Sequence, residues 1–370
     1  HDFKDDTWRH LNFFQHHCHI TAPVPRTDCP EHGTRRIIVP WARKGSQFTM
    51  FFEAQVLMLA QHMPVAALAR FVGATDKRLW RIIHHHVSRA VGQLDLSSLK
   101  AIALDETASK KGHNYVTVFL DMERKSKPVI FVTQGKGKAT LAAFAAHSRK
   151  QGGKPEKIVE VVCDMSSAFI VGVKEVLPNA FVTADWFHVV QLFTKALDEV
   201  RRDEARQVKH PKRLRFALLK NPADLNEEQR LALAELEMSN LATAEAWRCK
   251  EDLRWIREAE SLQAAKWRLT NFVNYFGRRM LASVFAPMRK ALATLAGYKD
   301  LILRRWESNY SNARLEGLNG VFKAARARAR GYRNIETFKT MIYLIAAPIG
   351  DILNHFSKPF CPKLQPRTSA

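Results

Sequence analysis

The order of apolar runs between residues 99 and 196 constrains the fold more than any other feature of this sequence. Three runs rich in β-branched and aromatic residues come first, at 100–107, 114–122 and 127–135. Helix-like periodicity then alternates with short apolar runs, at 138–150, 156–165, 167–177, 180–185 and 186–196. The predicted order is β-β-β-α-β-α-β-α, so we expect a mixed sheet with helices on both faces.

A long stretch without glycine overlaps the end of these runs. Residues 173–276 contain no glycine, and prolines occur there only at 178, 211 and 222. Helical periodicity continues through most of this stretch, which predicts a large all-helical insertion. The strand order is that of ribonuclease H-like folds. We therefore predict the α/β class, with a ribonuclease H-like catalytic domain interrupted by helices.

These patterns predict six divisions of the chain. In order, they are a zinc-finger-like N-terminal region (1–45), a helix-turn-helix DNA-binding domain (46–98), the first part of the catalytic domain (99–196), the helical insertion (197–300), the C-terminal part of the catalytic domain (301–350) and a tail (351–370). The first division is rich in His, Pro and Cys and is predicted to be irregular.

The excess of basic residues indicates which kinds of molecule the protein is expected to bind. Lysine and arginine number 58 against 36 aspartate and glutamate, a formal net charge of +22 with a pI near 10.0. A field of this size attracts polyanions, nucleic acid before anionic membrane. The five cysteines are few and scattered, which argues against a disulfide framework. No run of about 18 apolar residues occurs, so we expect no membrane span.

A zinc site is one interpretation of the N-terminal block. Cys29 and His32 have the spacing of half a zinc knuckle, and Cys18 lies upstream as a third candidate ligand. A closed zinc site needs four ligands. The alternative is a loop with incidental cysteines and histidines, and the sequence favours neither.

The second block has the spacing of a helix-turn-helix. Gly73 separates a helical run at 65–72 from a new helix start at Thr75. The second helix is predicted to present three basic residues to DNA, Lys77, Arg78 and Arg81. Its core-facing residues are predicted to be Leu79, Ile82 and Ile83, and the histidines at 84–86 are predicted to be solvated. Ordinary three-helix packing with a basic surface is the alternative, but the net charge favours DNA binding.

Two aspartates end predicted strands. Asp105 and Asp164 are expected at the same edge of the sheet, where neighbouring carboxylates repel each other unless a cation lies between them. Oxygen ligands on a rigid edge suit Mg²⁺ or Mn²⁺, and a third carboxylate would complete a two-metal site for phosphodiester displacement. Asp164 and Asp185 also precede helices, so either could instead be only an N-cap.

Residues 313–333 place one acid, Glu316, ahead of a basic run on a predicted helix. The basic residues are Lys323, Arg326, Arg328, Arg330 and Arg333, and Asn319 lies between the acid and this run. Glu316 and Lys323 are two helical turns apart and lie on nearly the same face. Strand transfer requires such an acid for metal beside a base for phosphate. A surface ion pair of Glu316 with Arg314 or Lys323 is the alternative.

Three segments resemble the DDE transposases of bacterial insertion sequences, and within that group the ISL3 family. They are ALDETASKKGHNYVTVFLDM, VVCDMSSAFIVGVKEVLPNAFVTADWFHVVQL and SNARLEGLNGVFKAARARARGYRNIETFK. The resemblance extends to VPRTDCPEHG and to the helix-turn-helix, so it covers nearly the whole chain. The zinc finger of this family starts with a paired-cysteine motif, and this sequence begins after that point.

The resemblance implies that Asp105, Asp164 and Glu316 are catalytic and bind two Mg²⁺ or Mn²⁺ ions, with Zn²⁺ a further candidate in the N-terminal region. It implies cut-and-paste transposition in the bacterial cytoplasm, associated with the nucleoid. The protein would bind the terminal inverted repeats, cleave there and join the 3′-hydroxyl to target DNA. We expect a homodimer on DNA, with the basic residues named above contacting the DNA. Asn319 is a further candidate DNA contact, with ordering of its helix as the alternative, and His188 is another, with simple packing as the alternative.

Two other functions fit the same residues. A structure-selective nuclease of the Holliday-junction resolvase kind would also use clustered carboxylates, but it would not need a sequence-reading N-terminal module. A non-catalytic DNA-binding regulator derived from a transposase would bind DNA without cleaving it in Mg²⁺ or Mn²⁺. Strand transfer of a precleaved end distinguishes the first, and cleavage distinguishes the second.

Overall fold

Two compact units make up the chain. The computed structural model describes residues 2–110, 114–208, 210, 214–220, 222–308, 310 and 313–349. Unit 1 gathers the N-terminal residues through Ala101, Asp105–Lys157 and the chain from Leu315 onward. Unit 2 gathers Ile102–Leu104 and Ile158–Arg314. The predicted tail at 351–370 lies outside the described residues.

The N-terminal region forms an antiparallel sheet, so the prediction of irregular structure there is wrong. Its strands are β1 (Asp2–Arg9), β2 (His19–Cys29) and β3 (Gly33–Arg36), in that order across the sheet. Prolines at 23 and 25 concealed β2 in the sequence, because proline cannot donate to a strand ladder. They are tolerated because β3 itself pairs only with Arg26–Cys29, and the bond on that side at Pro25, from Ile37 N to Pro25 O at 3.1 Å, uses the proline carbonyl and needs no proline N–H.

Three helices follow in the order and positions of the predicted helix-turn-helix. They are α1 (Met50–Ala60), α2 (Val65–Val72) and α3 (Asp76–Gly92). Gly73 ends α2 in the left-handed conformation, with φ of 66°, as its place in the turn requires. Leu79, Ile82 and Ile83 are buried, as predicted. Thr75 occupies the N-cap position of α3, but its side chain makes no capping hydrogen bond.

A buried carboxylate ties these helices together. Glu53 of α1 has 0% exposure and accepts hydrogen bonds from Ser46 Oγ at 2.6 Å and from Arg43 Nε at 2.9 Å. Its Oε2 also lies 2.6 Å from His86 Nε2 of α3. Burial alone would raise the pKa of Glu53, but the hydrogen bonds of His86 and Ser46 and the charge of Arg43 outweigh burial and leave this pKa lowered.

The histidines at 84–86 are therefore not a solvated surface. His86 is buried against Glu53, and His84 Nδ1 lies 2.9 Å from Thr340 Oγ1, while His85 is exposed. Consecutive helical residues point about 100° apart, so three of them cannot all face solvent on a helix packed on two sides.

The second sheet has five strands in the described chain. They are β4 (Ala101–Ala108), β5 (Tyr115–Asp121), β6 (Val129–Gln134), β7 (Glu160–Cys163) and β8 (Phe181–Ala184), in the order β6-β5-β4-β7-β8. β5 and β6 pair antiparallel, whereas β7 and β8 pair parallel. The predicted α/β class with a mixed sheet is confirmed.

Asp105 lies inside β4 rather than at its end, which corrects one prediction. The strand continues through Ala108 because Ser109 N donates to Asn114 O at 2.8 Å, which closes the β4–β5 hairpin beyond the acid. Asp164, in contrast, follows β7 directly, as predicted.

Helices occupy most of the remaining described chain. They are α4 (Lys138–Lys150), α5 (Ser167–Val176), α6 (Trp186–Glu204), α7 (Leu214–Leu219), α8 (Glu227–Glu237), α9 (Ala242–Arg257), α10 (Leu262–Arg279), α11 (Ala286–Gly297), α12 (Lys299–Leu303), α13 (Ala313–Arg328) and α14 (Ile335–Ala346). From Trp186 onward the described part of the glycine-free stretch consists of helices and their connections, as predicted, and α6 crosses residue 197 without interruption. None of the described helices is long and apolar enough to cross a membrane.

Helices α6 to α12 of unit 2 share one apolar core. α6 packs against α9 and α11, and the buried aromatic residues between the helices include Phe193, Phe272 and Phe276. In unit 1, α14 packs on β6 and α3, and Tyr343 Oη accepts a hydrogen bond from Val132 N at 2.7 Å. The last described helix is thereby fixed to a strand more than 200 residues earlier.

Removing the Glu53 carboxylate should destabilise unit 1 strongly. Glu53→Ala leaves Arg43 and His86 without their buried partner, so we expect a loss of about 3–5 kcal/mol in the free energy of unfolding. Urea titration at pH 7 measures the loss. Glu31→Ala removes the same charge from an exposed position and should change stability by no more than about 0.5 kcal/mol.

The pH dependence of this loss has a definite sign. Because the pKa of Glu53 is lowered on folding, its stabilisation is present above the unfolded carboxyl pKa of about 4.3 and is lost as the pH falls through the folded value. The difference between wild type and Glu53→Ala should therefore shrink in acid. A difference that grew as the pH fell would contradict the assignment.

Candidate functional site

Asp105 is held by a side chain from the far end of the sequence. Its Oδ2 accepts a hydrogen bond from Asn319 Nδ2 of α13 at 2.6 Å, and its Oδ1 accepts one from Glu106 N at 2.7 Å. Both residues belong to unit 1. The contact joins positions 214 residues apart and places α13 against β4.

The position of Asn319 favours the alternative in which this residue orders its surroundings over the predicted DNA contact. Its side chain is only 6% exposed and faces Asp105 rather than solvent. Its Oδ1 is buried and has no hydrogen-bond partner among the described residues. Such a group is costly unless a ligand, ion or water satisfies it, so the amide both orients Asp105 and offers a second oxygen beside it.

Glu316 lies in the first turn of α13, three residues before Asn319. Residues three apart in a helix share a face, so Glu316 is directed to the side of α13 that carries the contact with Asp105. The Glu316 side chain is partly buried, whereas Lys323, two turns further on, is exposed. The ion-pair alternative with Arg314 falls on a side chain outside the described ones.

Asp164 is surrounded by polar groups of unit 2. Its Oδ1 accepts a hydrogen bond from Ser166 N at 3.0 Å. Burial raises the pKa of Asp164, and the charge of Asp185 raises it further, against the opposing effects of the Ser166 hydrogen bond and of His188. A nearby cation would offset this cost of holding Asp164 charged.

Asp185 has the N-cap role that the sequence left open. It is buried and caps α6 by accepting from Phe187 N at 3.2 Å, and its own amide donates to Cys163 O at 2.9 Å. Its Oδ2 also lies 3.8 Å from His188 Nε2. The structure therefore groups Asp164, Asp185 and His188 at the ends of β7 and β8.

The donor chemistry of these acids fits a divalent cation. Carboxylate and amide oxygens are the ligands that Mg²⁺ and Mn²⁺ prefer, and the unsatisfied oxygen of Asn319 beside Asp105 is such a donor. Among the described residues, however, no group of three or more His, Cys, Asp or Glu side chains is arranged to hold a metal ion. The structure groups Asp105 with the α13 face, and Asp164 with Asp185 and His188.

A basic cleft, which we call the α13 cleft, lies at the C-terminal end of α13 in unit 1. Its volume is about 640 Å³, and it is lined by Ser109, Lys110, Arg326, Ala327, Arg330, Gly331, Tyr332 and Arg333. Four of these residues are cationic and none is acidic, which is the composition expected of a phosphate-binding surface. Sequence reasoning found three of the four cations but missed Lys110, although it begins a lysine pair that follows β4 after one serine.

The basic run is not a single helix, contrary to the prediction. α13 ends at Arg328, and Arg330 and Gly331 both adopt left-handed conformations, with φ of 56° and 93°. Gly331 N donates to Arg326 O at 2.8 Å, which closes the helix end. Arg330 and Arg333 therefore lie on a loop that folds back over the cleft.

Backbone carbonyls hold several of these cations in place. Arg326 donates to Ala108 O, and Arg328 donates to His62 O at 2.5 Å. Lys110 Nζ donates to Arg333 O at 3.0 Å. Their charges are not neutralised by these carbonyls, so the positive field remains available to an anion.

The basic residues of α3 differ in exposure and in the contacts that their side chains make. Lys77 and Arg81 are exposed, as predicted for DNA contacts. Arg78 is partly buried: it donates to Gln47 Oε1 at 3.0 Å, and its guanidinium lies 4.3 Å from the centre of the Phe48 ring. Arg78 is thus held against the segment before α1.

The N-terminal strands separate the candidate zinc ligands. Cys29 Sγ lies 3.4 Å from His32 Nδ1, so this pair is adjacent as predicted. Cys18 precedes β2 and Cys29 ends it, which at about 3.3 Å per residue puts them roughly 35 Å apart. A single zinc ion cannot contact both, so Cys18 is not a partner of the Cys29 and His32 pair.

The comparisons with known proteins agree with one another. Residues 102–342 match a family model described as a transposase, and residues 37–87 match the helix-turn-helix domain of transposase family ISL3. The chain is 26% identical over 341 residues to the transposase for insertion sequence element IS1001 of Bordetella parapertussis, covering 89% of this chain and 82% of that protein. It is also 26% identical over 375 residues to the transposase for insertion sequence element IS1557 of Mycobacterium tuberculosis, covering 92% and 81%.

Two glycine-to-alanine substitutions, one inside α13 and one just after it, should change the free energy of unfolding in opposite directions. Gly331→Ala forces an alanine into a left-handed conformation, so we expect a loss of about 1–2 kcal/mol in stability. Gly317→Ala adds a methyl group to the α13 interior with nothing within 4 Å, so we expect a gain of about 0.5–1 kcal/mol. Urea titration of both variants measures the difference, and equal effects would contradict the role of Gly331.

Proposed function

Because the chain belongs to the ISL3 family of DDE transposases, we propose that it binds the terminal inverted repeats of an insertion sequence and moves that element by cut-and-paste transposition. The proposed reactions are hydrolysis of a phosphodiester at the end of the element and transesterification of the freed 3′-hydroxyl into target DNA. The protein would act on DNA in the bacterial cytoplasm, as a homodimer.

The hydrogen bond from Asn319 to Asp105 is the observation that carries this proposal. It joins the central strand of the five-stranded sheet to α13, the helix that carries Glu316 in its first turn. A structural helix would gain stability from an apolar contact more readily than from a pair made of a buried amide and a partly buried carboxylate. The hydrogen bond from Asn319 is explained if Asp105, the acid that it orients, binds a ligand.

We propose Asp105, Asp164 and Glu316 as the catalytic acids. Asp164 directly follows β7, which neighbours β4 in the sheet order, and Asp105 lies in β4 itself. The three acids would hold two Mg²⁺ or Mn²⁺ ions, which when bound supply Lewis-acid activation of the attacking oxygen and stabilise the leaving oxygen. The contribution of Asn319 is to fix the rotamer of Asp105.

The sheet order supports a ribonuclease H-like catalytic domain. Numbered from β4, the strands run 3-2-1-4-5, with an antiparallel pair at one edge and a parallel pair at the other. Ligands of open sheets bind at strand ends where the order reverses, and here β4 and β7 flank that point.

The α13 cleft would bind DNA phosphates near the acids. Arg326 and Lys110, both tied to the backbone, form its fixed wall, and the loop with Arg330 and Arg333 forms the other. Lys323, exposed on α13 between Glu316 and the cleft, would contact the same strand. Arg328 is exposed and would add a further phosphate contact.

The helix-turn-helix would recognise the terminal repeats. Lys77 and Arg81 project from α3, and Arg78 lies beside them.

His188, close to Asp185 and Asp164, would lie next to the scissile phosphate. Zn²⁺ would require ligands beyond Cys29 and His32.

Neutralising any one catalytic acid should separate binding from chemistry. We expect Asp105→Asn, Asp164→Asn and Glu316→Gln to bind a duplex carrying the terminal repeat as well as wild type, but not to cleave it in Mg²⁺ or Mn²⁺. Gel-shift and cleavage assays with labelled ends measure the two properties. A variant that cleaved at a near wild-type rate would remove its residue from the triad.

Strand transfer tests the reaction class. We expect wild type to join a precleaved end to plasmid DNA, which neither a resolvase nor a regulator would do. Cleavage without strand transfer would favour a nuclease, and binding without cleavage would favour a regulator.

Asn319→Ala should impair catalysis without weakening DNA binding. Asp105 would lose the donor that fixes its rotamer, so we expect the cleavage rate to fall about 10–100-fold and the Mg²⁺ requirement to rise. Val321→Ala, an exposed change on the same helix, is the matched control and should cleave normally. An unchanged Mg²⁺ dependence of Asn319→Ala would show that the amide serves only the packing of α13.

A further inference from the structure

A second cleft without acidic residues lies where the N-terminal sheet meets the turn of the helix-turn-helix. It has a volume of about 330 Å³ and is lined by Thr7, Arg9, His17, His19, Gln47, Phe48, Gly73, Ala74 and Arg78. We call it the turn cleft. All its lining residues belong to unit 1. Two arginines and two histidines line it, and neither the catalytic acids nor the α13 cleft includes any of these residues.

Backbone hydrogen bonds fix Arg9 to the helical region. Arg9 N donates to Gln47 O at 2.9 Å, and Thr49 N donates to Arg9 O at 2.9 Å. These bonds extend β1 into the segment before α1 as a parallel bridge. The sheet is therefore a rigid wall of the helix-turn-helix rather than an appended module.

The Arg9 side chain is also held. It is only 8% exposed, and its guanidinium donates to Val72 O at 3.2 Å, to His10 O at 3.2 Å and to Asn12 Oδ1. All of these acceptors are uncharged, so its charge is not neutralised by them. Burial lowers the pKa of Arg9, and the charge of Arg78 lowers it further against an opposing effect of Cys18.

Arg78 forms the other cationic wall. Its position on α3 is set by the Phe48 ring and by Gln47, so little side-chain entropy remains to be lost on binding. His17 covers the turn itself: a Cβ built on Gly73 would lie 2.5 Å from His17 Nε2. The cleft is thus assembled from fixed donors around a polar opening.

We propose that the turn cleft binds a backbone phosphate of duplex DNA and thereby sets the position of α3 on the DNA. The proposal rests on the proposed function only in taking DNA as the ligand. Phe48, the one phenyl ring that lines the cleft, offers no face to a stacked base, because it is buried and the Arg78 guanidinium lies 4.3 Å from its ring centre. A phosphate needs only the fixed positive donors that the cleft provides.

Two variants test the cleft without removing its structure. Gln47→Glu keeps the acceptor that holds Arg78 and adds a negative charge inside the cleft, whereas Arg78→Ala removes one cation. Arg70→Ala is the matched control, because Arg70 is exposed on α2 and does not line the cleft. Circular dichroism and thermal melting of each full-length variant confirm folding.

Binding is measured by fluorescence anisotropy with a mixed-sequence 30-bp duplex over a KCl series. We expect both cleft variants to bind about tenfold more weakly and to lower the slope of log K against log salt by about 1, the value for one lost phosphate contact. Arg70→Ala should leave the slope unchanged. Cleft variants that matched Arg70→Ala in affinity and slope would overturn the proposal.

Inorganic phosphate distinguishes the two sources of the anion. If the ligand is DNA, 10 mM phosphate should not raise the melting temperature of wild type relative to Gln47→Glu. If phosphate raises it while both proteins bind DNA equally, the cleft is a free-anion site and the proposal is wrong. Cleavage by Asp105→Asn is scored separately, so failure of the catalytic assignment would leave this result standing.

Discussion

A single part-buried hydrogen bond, from Asn319 to Asp105, connects the catalytic candidates of unit 1. The Asn319 amide loses its hydrogen bonds to water when it is buried, and Asp105 Oδ2 replaces one of them by accepting from Asn319 Nδ2 at 2.6 Å. The pair therefore forms only when α13 lies against β4. Through this bond α13, near the C-terminal end of the described chain, is placed beside β4, which lies more than 200 residues earlier in the sequence. The loop after α13 then brings Arg330 and Arg333 over Lys110.

The positive charge of the protein is organised rather than spread evenly. Arg9, Arg326, Arg328 and Lys110 each donate to backbone carbonyls, which fix the cation without cancelling its charge. A cation fixed before binding loses less side-chain entropy when phosphate arrives. A net charge of +22 raises the local concentration of DNA, but these fixed groups decide where its backbone can lie.

Predictions from the sequence failed where a partner far along the chain decides a side chain's role. Asn319 looked like a DNA contact because it lies among cations, yet its partner is 214 residues away. His86 looked solvated within a polar triplet, yet Glu53 buries it. Cys18 looked like a zinc ligand from its residue type, yet an extended strand separates it from Cys29. In each case the residue type indicated a plausible role, but the sequence did not show which distant residues would lie near the side chain or far from it.

From residue 99 onward, local periodicity determined the order of strands and helices and hence the mixed sheet, and local sequence also determined the glycine at the turn of the helix-turn-helix and the helical character of the long stretch before Glu316. These features depend on neighbours within a few residues, and the sequence contains all of that information. Tertiary structure alone decided that Asn319 orients Asp105 and that the N-terminal strands wall a basic cleft. These depend on which surfaces meet after burial, because a side chain's role is set by the groups that replace water around it.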